Sequence, residues 1–130
     1  MAHKINRVYT DSAGLQTSYE ETVPGTAETN IIAESIADGV TDGAVNFNAD
    51  QSQLKSVLLV ASVAMTLKTN SSGSPQETIA LAAGVPKIWS LAQDLIGTCP
   101  FSGDVTALFV TNASGGAGTL TVKTAHDPTP

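Results

Sequence analysis

Few side chains in this sequence could do chemistry, and their spacing keeps most of them apart. Only two histidines occur, His3 and His126, one near each end. A general base must be held within hydrogen-bond reach of its target by a rigid frame, and both positions read instead as solvated side chains in free tails. Cys99 is the sole cysteine, so neither an intrachain disulfide nor a cysteine-based metal site can form. Its context, Gly97-Thr98-Cys99-Pro100, offers no base or cation to lower a thiol pKa, and we read it as a buried structural thiol. Glu20 and Glu21 are neighbours on an expected strand and must face opposite sides, which prevents their working together as an acid and base pair. Asp38, Asp42 and Asp50 could gather around calcium, yet their spacing matches no EF-hand loop, and Asp38-Gly39 and Asp42-Gly43 are turn formers. The run Ser114-Gly115-Gly116-Ala117-Gly118 lacks a following Lys-Ser/Thr and opens no helix, so it reads as a hairpin tip and not as a phosphate loop. Trp89, Tyr9, Tyr19, Phe47, Phe101 and Phe109 could stack on sugar rings, but they fall about one to a segment, as core residues do. Asn70-Ser71-Ser72 and Asn112-Ala113-Ser114 match the glycosylation sequon and, with no secretory leader visible, are taken as chance. From these patterns we expect no catalytic residue, no cofactor and no metal.

The elements that must carry these residues are strands. Residues 54–68, LKSVLLVASVAMTLK, form the longest apolar run, are rich in β-branched Val and hold no Gly or Pro, so we expect one long strand. Its odd positions from Val57 to Leu67 are apolar throughout, while the even face is apolar only in part, which implies that a second layer or a second subunit covers that face. The candidate interface on this face is Leu58, Val60, Ser62 and Ala64. Upstream, 4–10 and 15–23 alternate on either side of the turn cluster Asp11-Ser12-Ala13-Gly14 and read as a hairpin. Residues 26–38 space Ile32 and Ile36 for a helix, yet Ile32, Glu34 and Ile36 also alternate; β-rich neighbours favour a strand. Short strands are expected at 44–47, 77–81, 85–91, 104–111 and 118–123, separated by turn signals. About eight or nine strands in this rhythm predict an all-β protein, an antiparallel β-sandwich of jelly-roll type. No linker or repeat divides the chain, so a single domain over 1–130 with short flexible termini is expected.

Composition narrows the partners. Twelve acidic against six basic side chains give a net charge of −6 with no basic cluster, which makes nucleic acid and anionic membranes poor partners. No apolar leader is visible at the start, and the central run is too short and too charged at its ends to cross a bilayer. Synthesis in a cytoplasm is the expectation.

One resemblance adds to this reading. Leu67-Lys68-Thr69-Asn70-Ser71-Ser72-Gly73-Ser74-Pro75, then Thr78-Ile79-Ala80-Leu81-Ala82-Ala83-Gly84 with Pro86 and Trp89, are followed by Asp104-Val105-Thr106-Ala107-Leu108-Phe109-Val110-Thr111-Asn112 and a close on Asp127-Pro128-Thr129-Pro130. These runs resemble small structural proteins of tailed bacteriophages, over about the C-terminal half. Leu54-Lys55 and residues 22–29 fit more loosely. The resemblance implies a virion protein without enzymatic activity, most simply a capsid decoration or cement protein. It would bind the major capsid protein on the outside of the head, bridge its subunits, and associate with itself as a homo-oligomer, as a trimer on the family's pattern. The alternatives are a tail, fibre-base or glycan-binding β module of a phage particle, and a carbohydrate-binding module outside any virus.

Overall fold

The computed structural model describes residues 2–24, 27–91 and 99–127, and they form ten strands with a single 3-10 turn, Gln51–Gln53. Two strands stand apart from the rest: β1 (Ala2–Thr10) and β2 (Gln16–Pro24) pair only with each other. Asp11 closes their turn, its carboxylate accepting the N–H groups of Ala13 and Leu15. The other eight are β3 (Ala27–Ile36), β4 (Gly43–Val45), β5 (Leu54–Ala61), β6 (Met65–Thr69), β7 (Thr78–Leu81), β8 (Lys87–Ser90), β9 (Leu108–Thr111) and β10 (Gly118–His126). They divide into a sheet ordered β3-β10-β5-β8 and a sheet ordered β4-β9-β6-β7, antiparallel throughout. Apart from β6–β7, each link between successive strands of these eight crosses from one sheet to the other, which is the wrapping of a jelly roll. The all-β antiparallel sandwich expected from the sequence is therefore the fold.

Alternation fills the space between the sheets. Val57, Leu59 and Ala61 of β5, Leu120 and Val122 of β10, and Trp89 of β8 meet Met65 and Leu67 of β6, Leu81 of β7, and Leu108 and Val110 of β9 in one buried core. Phe47 and Phe101 close one part of it, their ring centroids 6.0 Å apart. Of the ambiguous 26–38 segment, Ala27–Ile36 is a strand, bulged where Ala33 takes φ +49° and gives its N–H to Thr121 Oγ1.

Three expectations are corrected. The run 54–68 is two strands in different sheets, because the chain turns a corner at Ser62-Val63-Ala64, where Ser62 N–H reaches Thr119 O and Ser62 Oγ accepts Thr119 N–H. A side chain on Gly118 would lie 2.4 Å from Val63 Cγ2, so this close approach requires glycine. The corner is three residues long, which preserves odd–even parity, so the odd positions face the same core before and after it. Second, Ser114-Gly115-Gly116-Ala117-Gly118 is no hairpin tip but an arch carrying the chain from β9 in one sheet to β10 in the other. Third, the termini are not free tails over most of their length: Ala2 to Lys4 belong to β1, and β10 runs to His126 between two partners. Residues 128–130 lie outside the described residues.

Candidate functional site

The outer face of the β3-β10-β5-β8 sheet carries a row of four residues in register: Glu28, Ala125, Ser56 and Ser90. The β1–β2 hairpin lies across it. One side of the hairpin turns His3, Ile5, Glu21 and Val23 downward, with Ile5, Glu21 and Val23 buried, while Lys4, Asn6, Glu20 and Thr22 stay exposed. His3 Nδ1 is 2.9 Å from Ser56 Oγ, and His3 Nε2 meets the Glu28 carboxylate. Ser90 Oγ donates to Glu21 Oε1 at 2.8 Å. Between these polar ties Ile5 and Val23 pack on Ala125, a small apolar cluster separate from the main core. The hydrogen bond from His3 holds the Glu28 carboxyl below its ordinary value against the opposing effect of burial, with the His3 and Lys123 charges adding smaller pulls.

Ser56, His3 and Glu28 share the connectivity of a hydrolase triad, so their chemistry has to be weighed. Ser56 is 2% exposed in the middle of β5. That strand has a partner on each side, so its backbone N–H groups are committed to ladders and cannot face a developing oxyanion. A hydroxyl this enclosed and lacking such donors acts as a tie. The three residues fasten the hairpin to the sandwich, since among the described residues no main-chain ladder joins the two.

Beside β1 the hairpin overhangs the next row of the sheet and leaves a cleft of ≈340 Å³. Ile5, Leu58 and Ile88 supply its apolar lining, and Lys4, Asn6 and Lys123 its polar one. Further along, the downward side of the hairpin continues as Arg7, Tyr9, Thr17 and Tyr19, with Arg7 directly opposite Tyr19. Here the apolar side chains are uncovered: Tyr9 and Tyr19 on this side, Val8 on the other and Leu15 at the turn are each 57–59% exposed.

The residues marked in the sequence fall into place unevenly. Leu58 lines the cleft and Val60 stands half-buried on the same outer face, but Ser62 and Ala64 sit on the corner, so the four do not form one strip. Glu20 and Glu21 do face opposite sides. Asp42 pairs with Lys68 at 3.1 Å, Asp38 accepts Gly115 N–H and Asp50 caps the 3-10 turn; no group of three metal-ligating side chains gathers among the described residues. Trp89 is in the core, and Cys99 is half-buried against it, where burial pushes its thiol pKa up. His3, read as a solvated tail residue, is the centre of the polar seam; the signal available was its place at the start of an alternating segment, two residues before Ile5. Both sequon asparagines turn out to be structural. Asn112, fully buried, donates to the carbonyls of Ile36, Ala37 and Gly116 and pins the arch. Asn70, at φ +69°, accepts Thr106 N–H and donates to Asp104 O. No protein-family model, curated protein or solved structure matches the chain.

Proposed function

We infer that this protein works by attachment and not by catalysis, as a decoration protein that binds the outside of a bacteriophage head and bridges capsid subunits. The observation that carries this reading is the hairpin arm, tied to the sandwich at one end and exposing Tyr9 and Tyr19 on one side, Val8 on the other and Leu15 at its turn. Exposed apolar side chains gathered on one projecting element mark an interaction surface, and tyrosine contributes large contact area at low entropic cost. The jelly roll is in keeping with this, since such double sheets recur in viral capsid and lectin domains, although fold alone assigns no function. The phage-like runs of the C-terminal half support the same reading. Self-association belongs to it as well: Val60 leaves apolar surface on the outer face of β5 beside Leu58.

Mass spectrometry and electron microscopy of purified phage particles test the proposal. The chain is expected in stoichiometric amounts as density on the outer shell, and the purified protein should co-sediment with bare heads. The double variant Tyr9→Ser, Tyr19→Ser should fold normally and lose co-sedimentation. Density on the tail or at the fibre base instead would assign the protein there, and absence from particles would overturn the reading.

A further inference from the structure

We propose that the open edge of β1, with the cleft beside it, is a strand-addition site for an extended segment of a protein partner in which apolar residues alternate with acidic ones. An unpaired edge is a template for another strand, and folded proteins usually blunt it. Here β4 is 3 residues long and β7 and β8 are 4 each. β3 is longer but broken by the bulge at Ala33, whose N–H is already taken by Thr121. β1, by contrast, runs for 9 residues with β2 on one side and, among the described residues, no strand on the other. Alternate N–H and C=O groups along it therefore point away from β2.

β2 has an equally long outer edge, and the floor is what distinguishes β1. His3, Lys4, Ile5 and Asn6 form one wall of the cleft, and Leu58, Ile88 and Lys123 belong to the sheet below. At ≈340 Å³ the space is small for a ligand site and suits the side chains of one strand. A strand laid along β1 would set alternate side chains on Leu58 and Ile88, and the intervening ones would stand beside Lys4.

Charge selects the occupant. The chain carries twelve acidic and six basic residues, yet among the described residues no carboxylate lines this cleft, while Lys123 and Lys4 do, the Lys4 ammonium lying 3.9 Å from the exposed Glu20. Glu28, close to Lys123, is engaged by His3. A second β1 from another copy is a poor occupant, because it would bring its own Lys4 and Arg7 to a basic seam. The complementary segment is acidic and alternating.

This inference rests on the attachment reading only in taking the partner to be a protein, and its test needs no phage particle. The probes are the peptide Val-Glu-Val-Thr-Val-Asp-Val and its counterpart with Lys at both acidic positions. Residue-resolved amide exchange and NMR shifts are recorded on the intact protein. The acidic peptide is expected to slow exchange at alternate residues of β1 and to shift Leu58 and Ile88, and the basic peptide to do neither. Lys123→Glu should weaken the acidic peptide about tenfold and improve the basic one. If that variant misfolds, Lys4→Glu, at a side chain 69% exposed, reads the same charge. No protection of β1 at millimolar peptide, equal binding of both peptides, or protection of β1 by concentrated protein alone would each overturn the proposal. Lost peptide binding with particle attachment intact would overturn this inference only; absence from particles with peptide binding intact would overturn only the attachment reading.

Discussion

Replacing His3 with Ala leaves Glu28 without the partner that lowers its pKa and Ser56 with a buried, unpaired hydroxyl. A loss of about 1–3 kcal/mol in the docking of the hairpin follows. It should appear as faster amide exchange in β1 and β2, with the sandwich strands little changed. Acid should do the same to the wild type. Because Glu28 is held below its ordinary value of 4.5, its contribution is complete above that pH and is lost as pH falls through the lower folded-state value. Hairpin exchange in the wild type is therefore expected to accelerate below about pH 4.5, and Glu28→Gln should remove that acid dependence while loosening the hairpin at neutral pH. A wild type and variant with identical pH profiles would refute the tie. Asn112→Ala removes the donor shared by the carbonyls of Ile36, Ala37 and Gly116, of which Ala37 O keeps Val40 N–H and Gly116 O keeps Ser114 Oγ, and should cost about 1–3 kcal/mol by denaturant unfolding. Cys99→Ser, at a half-buried thiol raised by burial, should cost only about 1 kcal/mol.

Among the elements, the strands were legible and their sheet membership was not. Period-two alternation located β1, β2 and β7 closely, turn signals bracketed β8, β10 runs three residues beyond its expected end at 123, and β-rich surroundings resolved β3 correctly. The alternation could not reveal the corner inside 54–68, since three residues preserve parity and the pattern reports only which face is greasy. A glycine run likewise says that the chain turns, and only the register of the neighbouring strands says whether it turns back within a sheet or over to the next. The candidate site was the least visible part. Its polar members are single residues from β1, β2, β3, β5 and β8, brought together only by docking. The half-apolar second face of β5 did signal a covering layer, and over Ser56 and Leu58 that layer is the hairpin of the same chain. Val60 is the part left over. Val60→Lys should accordingly reduce association, read by light scattering, more than it reduces the melting temperature; a monomeric wild type at micromolar concentration would contradict the homo-oligomer.

For the whole molecule, the position of β10 matters most. It lies between β3 and β5, and its pairing with β3 joins Gly118 to Ile36 and His126 to Ala27, partners about ninety residues apart in the chain. A growing polypeptide on the ribosome therefore holds β3 and β5 with nothing between them until residues 118–126 have been made and released. Two unpaired edges wait until then, so the β3-β10-β5-β8 sheet cannot close before residue 126 has emerged, and its closure belongs to the slow milliseconds-to-seconds range of non-local β topologies. Loss of β10 and loss of the hairpin then differ in kind. A chain stopped at residue 111 should be aggregated or degraded, whereas one begun at residue 27 keeps every strand of the jelly roll and should fold without its arm.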